Sequence, residues 1–211
     1  TMGTRGADFA AAKGMGGCSS AGNQGNSNWF YIAAPADADS ILTVGAVDSV
    51  GLLTSFSSNG PSSDGAVKPD VVAQGIRATV VEPFSGTIVS GNGTSYSNPI
   101  IAGITACLWQ AHPDKSNIEI IEAIKKSASL YFNPNDSMGY GIPNFEIADL
   151  MLSDKAPQDL SLSKPLVYPN PFQKEFGVLY YTARLQELDI EIFDIVGKKV
   201  QSFSTVFNIG Y

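Results

Sequence analysis

The chain is poor in the side chains that most often carry metal or redox chemistry, with one histidine and two cysteines in 211 residues. Two cysteines are too few for a disulfide scaffold and too few for a zinc site. Cys18 and Cys107 are both expected to be buried free thiols, since a lone cysteine behaves as a small hydrophobe. Positive charge is scarce as well. Thirteen Lys and Arg stand against twenty Asp and Glu, the net charge is −7, and no basic cluster occurs. That argues against nucleic acid and anionic membranes as partners. Nor is there a long apolar run: the nearest approach, Ile100 to Trp109, is too short to span a bilayer. No signal peptide is evident and Thr1 has no initiator context, so the chain reads as a fragment. The remaining composition, 44% hydrophobic and 16% charged, is that of a folded chain with one core plus a small module.

The most informative stretch is Gly91-Asn92-Gly93-Thr94-Ser95-Tyr96-Ser97-Asn98-Pro99-Ile100-Ile101-Ala102-Gly103. It sets a serine on a glycine-rich turn that opens a helix. A serine hydroxyl is a weak nucleophile until a base and an anion-stabilising site surround it. A helix N-terminus supplies free N–H groups and the positive end of the dipole, so charge developing beside Ser95 is favoured. Gly91 and Gly93 are expected to clear space for a substrate backbone. The alternative from local sequence alone is that Ser95 is an N-cap.

Around this turn the pattern is α/β. Ala7 to Lys13 reads as a short helix ending at Gly14. Ile41 to Val47 is a nearly unbroken β-branched run, as for a strand buried on both faces. Val67 to Val72 and Gly86 to Val89 are shorter strand candidates, whereas Gly14 to Cys18 is a poor strand former. Pro99 is expected in the first turn of the Ser95 helix, with Ile100, Ile104, Leu108 and Ala111 as its buried face. Ser116-Asn117-Ile118-Glu119 is a capping box, followed by the apolar stripe Ile120, Ile121, Ile124 and Ala128. Asn144 is expected to cap a last helix carrying Phe145, Ala148 and Met151. Residues 1–152 thus form one domain, 153–165 a polar linker, and 166–211 a small β module. In that module Leu188, Ile190 and Ile192 alternate with Asp189 and Glu191, and Gly197 turns the chain into Lys199 to Phe203.

Gly93, Thr94, Ser95, Pro99, Ala102 and Gly103 match the nucleophile motif of subtilisin-like serine peptidases, which this region resembles. Ser20-Ala21-Gly22-Asn23-Gln24-Gly25 resembles the same family's oxyanion-asparagine segment. Further blocks follow in the family's order: Ile41 to Asp48, Phe56-Ser57-Ser58 with Gly60-Pro61, Lys68-Pro69-Asp70-Val71-Val72-Ala73, and His112-Pro113. The resemblance covers about residues 7–151. It implies a partial subtilisin-like parallel sheet flanked by helices, and hydrolysis of polypeptide substrates through an acyl-enzyme on Ser95. It further implies that Asn23 lends its amide to the oxyanion hole and that Ser20, Ala21 and Gly22 line one wall of a specificity pocket with room for a sizeable apolar side chain. Members often bind structural calcium, but no oxygen-rich cluster here nominates ligands, so no cofactor is assigned.

The lone histidine does not complete a triad. His112 lies seventeen positions after Ser95 on the same helix, roughly 25 Å away at the helical rise, so it is not the base. Nothing in the twenty-two residues before Asn23 resembles the family's aspartate or histidine motifs. Both are expected upstream of this sequence.

Tyr168-Pro169-Asn170-Pro171-Phe172, followed by Ile190 to Val200, resembles the C-terminal sorting domain of proteins exported by the type IX secretion system of Bacteroidetes. That implies a secreted or cell-surface protein handled by the secretion machinery, with a truncated antiparallel β-sandwich at its end. Three functions compete: a secreted endopeptidase, an inactive subtilase-fold binding module carried by the sorting domain, and a cargo-anchoring β module with the α/β part as its passenger. Retention of Ser95 together with Asn23 favours the peptidase.

Overall fold

The computed structural model describes residues 1–153, 166–168, 176–179 and 186–207. The chain divides into two compact units, 1–153 and 154–211.

In the first unit, strands β1 (Cys18–Ser20), β2 (Leu42–Val47) and β3 (Val71–Gln74) form a parallel sheet in the order β1-β2-β3. Cys18 stands opposite Leu42, and Val44 opposite Val71. Every residue of β2 is buried, as a strand without charged side chains at the centre of a parallel sheet is expected to be. The glycines leading into β1 answer to packing: a Cβ on Gly16 would sit 2.7 Å from the Trp109 ring, and one on Gly17 would sit 2.7 Å from Ile41 Cγ2. Tight layers leave no room for side chains here, which outweighs the weak strand propensity.

Helix α1 (Met2–Ala12) begins five residues before the expected Ala7, because Thr1 caps it by accepting from the Thr4 N–H. Helix α2 (Thr94–Ala111) packs across all three strands, and α3 (Asn117–Lys126) and α4 (Phe145–Leu152) pack on one another and on α2. The core joins Leu42, Val44 and Val71 of the sheet to Ile101 and Leu108 of α2 and to Ile120, Ile124 and Ala148 of the last two helices. The capping box is formed in full by Ser116 and Glu119. Asn144 caps α4 through the Ile147 N–H.

Several expectations for this unit are corrected. Helix α2 buries Thr94, Ser97, Ile101, Thr105 and Leu108, whereas Ile100 and Ile104 are 41% and 40% exposed and Ala111 is exposed too. Pro99 lies inside α2, in its second turn, and has no N–H to give to the Ser95 carbonyl. Cys18 is partly buried and Cys107 exposed; both are free thiols. Burial, with the Asp70 charge, pushes the Cys18 thiol up. The third strand also starts later than Val67, because Lys68 and Asp70 are engaged in a buried ion pair ahead of it. The expected strand at Gly86 to Val89 is β5 (Ile88–Gly91), shifted along the chain by its antiparallel pairing with β4 (Ala78–Val81).

Strands β6 (Leu166–Tyr168) and β7 (Gly177–Leu179) pair antiparallel in the second unit, as do β8 (Gln186–Phe193) and β9 (Lys199–Phe207). Ile190 faces Phe203 across the longer ladder, and Gly197 takes φ +82 in the turn between β8 and β9. Most of the expected linker, and residues 169–172 of the sorting motif, lie outside the described residues. No described helix is long and apolar enough to cross a membrane.

One buried charge pair ties the sheet together. Lys68, 2% exposed, donates through Nζ to Asp70 Oδ2 at 2.7 Å and to the Ile41 carbonyl at 3.2 Å. The same Asp70 oxygen accepts the Thr43 N–H at 2.7 Å. Burial pushes the Asp70 carboxyl up, and the Lys68 ammonium and the Thr43 N–H pull it back only in part. A carboxyl raised in the fold gives its full stability below its unfolded pKa, and that stability is lost as pH climbs through the folded value. Lys68→Met removes the cation and raises the carboxyl further. We expect it to destabilise the protein by about 3–5 kcal/mol at neutral pH, with the deficit shrinking below the ordinary aspartate range. Urea midpoints measured from pH 3 to pH 7 (about four points suffice) check both the size and the sign.

Candidate active site

The site forms where carboxyl ends of parallel strands meet the start of a helix. Chain leaving β1 at Ser20 runs through Ala21 and Gly22 to Asn23, and chain leaving β5 enters α2 at Thr94. The Ala21 N–H bonds the Val44 carbonyl at 2.9 Å, which keeps this chain on the sheet beyond its last strand residue. Ala21 is fully buried, while Ser20 and Gly22 are partly exposed. These three residues lead directly into Asn23.

Thr94 joins the two halves. Its N–H donates to Asn23 Oδ1 at 2.9 Å, its hydroxyl donates to the same oxygen at 3.1 Å, and that hydroxyl accepts the Gly22 N–H at 3.2 Å. A backbone N–H can only donate, so the Asn23 atom facing it is the carbonyl oxygen and the amide NH₂ is turned the other way. Among the described residues no protein group accepts from that NH₂. Asn23 is therefore held by its acceptor end and presents its donor end.

Ser95 is the second residue of α2 and is exposed. The N-cap is Gly93, with no side-chain cap hydrogen bond, so the N-cap alternative for Ser95 does not hold. Gly93 takes φ +146, a region costly to side chains. Its N–H donates to the Gly75 carbonyl at 2.7 Å, which ties the helix start to the loop leaving β3. A Cβ on Gly93 would sit 3.3 Å from Asn23 Nδ2. Gly91 is needed for a different reason from the one expected: the Tyr96 ring lies over it, with Tyr96 Cε1 2.9 Å from where a Cβ would be. The α2 N-terminus thus offers Ser95 with its own backbone N–H and the positive dipole end beside the Asn23 amide. This arrangement suits stabilisation of an oxyanion next to a hydroxyl.

His112 sits at the other end of α2, as its C-cap. It is buried, and its Nε2 lies 2.8 Å from Asp149 Oδ1 of α4. The structure does not bring it to Ser95. Among the described residues no group of three or more His, Cys, Asp or Glu could hold a metal ion. The Thr94 clasp was missed by sequence reading. Its signal is the threonine before the serine, with a hydroxyl able to donate to one partner and accept from another.

Comparison with known proteins gives the family context. A model described as the subtilase family matches residues 6–141, and one described as a secretion system C-terminal sorting domain matches 166–209. A subtilisin from Bacillus pumilus is 32% identical over 142 residues, 67% of this chain and 49% of that protein. Serine protease AprX of Bacillus subtilis is 30% identical over 150 residues, 61% of this chain and 34% of that protein. The chain therefore spans about half or less of the length of these relatives. Among solved structures, the patellamide maturation protease PatA superposes with a TM-score of 0.59 at 21% identity, covering 71% of this chain and 55% of that one. At that identity the likeness speaks for the fold alone.

Thr94→Val keeps the volume but removes both hydroxyl bonds and strands the Gly22 N–H. We expect a loss of about 1–3 kcal/mol in stability. The Asn23 side-chain amide resonances should also shift toward those of a free asparagine, which an NMR comparison of variant and wild type would read.

Proposed function

The chain belongs to the subtilase family, and we propose that it carries the nucleophile half of a secreted serine endopeptidase. The observation that carries this reading is the clasp of Thr94 on Asn23, which sets a free amide donor beside an exposed serine at a helix N-terminus. In the proposed reaction Ser95 Oγ attacks the scissile peptide carbonyl. The carbonyl oxygen, gaining charge, takes hydrogen bonds from the Asn23 NH₂ and the Ser95 N–H. The hydroxyl proton passes to a histidine oriented by an aspartate, then to the leaving amine, and the acyl-enzyme is released by water.

The histidine and the aspartate are proposed to come from polypeptide outside residues 1–211. The single histidine here is committed to Asp149 at the far end of α2. The exposed apolar stripe of Ile100, Ile104 and Cys107 offers a face on which that polypeptide would pack. Ser20, Ala21 and Gly22 are proposed to form one wall of the primary specificity pocket. The sorting domain at 166–209 supports recognition by the type IX machinery and delivery to the cell surface or beyond.

In the full-length protein a fluorophosphonate should label Ser95, with the adduct located by peptide mass analysis. Label on another residue of an active preparation refutes the assignment. Asn23→Ala should lower kcat by about a hundred- to a thousandfold, the effect known for the equivalent donor in subtilisin, with KM changed far less. Residues 1–211 alone should show no Ser95-dependent turnover. A steady peptidase rate that Ser95→Ala abolishes would overturn the proposal that the base lies elsewhere.

A further inference from the structure

The loop that follows Asn23 displays three consecutive aromatic side chains to solvent. Trp29, Phe30 and Tyr31 are 62%, 42% and 50% exposed. A contiguous run of exposed aromatic side chains is the kind of apolar patch that marks an interaction site. Phe30 is also held at φ +62, the left-handed region that a bulky side chain rarely adopts. Strain of this kind persists only where the surroundings over-determine it, and it concentrates at binding sites.

The surroundings are visible. The Phe30 carbonyl accepts the Asn59 N–H at 3.1 Å, and the Ile32 N–H donates to the Asn59 carbonyl at 2.9 Å. The Tyr31 N–H reaches the Trp29 carbonyl at 2.7 Å, and the Phe30 and Tyr31 rings meet edge to face with centroids 5.3 Å apart. Asn23 hangs from the same support. The Gln24 N–H donates to Ser58 Oγ at 3.0 Å, and the Ser58 N–H to the Gly22 carbonyl at 2.9 Å. The buried residues Ser58 and Asn59 therefore fix the aromatic loop and the oxyanion-hole candidate in one frame. No charged residue occurs from Gly14 through Ala36, so the segment that carries both contributes no charge of its own.

We propose that Trp29, Phe30 and Tyr31 form a docking platform for a bulky apolar side chain of the polypeptide substrate, away from the wall made by Ser20 to Gly22. The proposal rests on the peptidase reading. An uncharged segment with aromatic faces and edges selects an aromatic or branched aliphatic side chain over a charged one, and its shared anchorage with Asn23 registers that side chain against the scissile bond.

The test uses the full-length protein and pairs of fluorogenic peptides that differ only by Phe or Ala, with the substituted position moved through four residues on each side of the scissile bond. At one position wild type should prefer Phe in kcat/KM by about tenfold or more, the discrimination an apolar pocket can supply. Trp29→Ala and Tyr31→Ala should erase most of that preference at the same position, lowering kcat/KM for the Phe peptide far more than for the Ala peptide. Phe30→Gly should do the same without lowering Tm, because glycine relieves the left-handed conformation while removing the ring. A Phe preference that survives all three substitutions, or equal losses on both peptides, overturns the platform while the peptidase reading stands. Hydrolysis that Ser95→Ala does not affect overturns that reading, and the platform with it.

Discussion

Thr94 holds one oxygen of Asn23 with two hydrogen bonds, and the chemistry available at this site depends on that grip. Asn23 lies on chain leaving β1 and Thr94 begins α2, so 71 residues of sequence separate the partners. The clasp fixes which end of the amide faces outward. A rotating asparagine would present donor and acceptor alternately, and an acceptor next to a forming oxyanion repels it. The hydroxyl that donates to Asn23 also accepts from Gly22, so Gly22 and Asn23 are positioned by one side chain.

The clasp holds position only because its two arms are anchored independently. One arm rests on the parallel sheet, where β2 is buried throughout and the Lys68–Asp70 pair bonds to Thr43 and to the Ile41 carbonyl. A carboxylate in such a place is costly to bury, so its partners determine whether β2 and β3 keep register. The other arm is the Gly93 N–H on the Gly75 carbonyl, which sets the height of the helix start above the strand ends. A site built on element ends is held more tightly than one built on loops.

Much of this was legible from local chemistry. The run at 41–47 reads as a buried strand because its side chains suit both faces of a parallel sheet. Ser116 and Glu119 read as a cap because each answers the other's unpaired group. The helix after Ser95 followed from its glycines and its apolar content. Asn23 was a different matter: within its own segment it is a turn residue, and only the family pattern linked it to Ser95. The hairpin of β4 and β5 was half visible, since Ala78–Val81 follows a loop and has no alternation strong enough to stand out. Pro99 was placed one turn early, because first-turn tolerance is a local rule and the true start of α2 is set by Gly93, whose backbone is held from β3.

Helix α2 shows why its buried face was misread. Its inner stripe mixes Thr94, Ser97, Thr105 and His112 with Ile101 and Leu108, and its outer stripe carries Ile100, Ile104 and Cys107. Ranked by hydropathy alone, the outer stripe looks like the core. A helix with apolar residues on more than one face gives periodicity no single side to choose. Periodicity then reports that the helix is central and cannot say which partner comes first. The inner polar groups are consistent with this, since Ser97 and Thr94 bond one another or Asn23 rather than water. Asn98 Oδ1, buried one turn after Ser95, has no partner among the described residues. Thr105 Oγ1, on the inner stripe, is likewise buried without a partner among the described residues. Hydropathy therefore marks both stripes of α2, and only the packing of the sheet on Ile101 and Leu108 decides which one is the core.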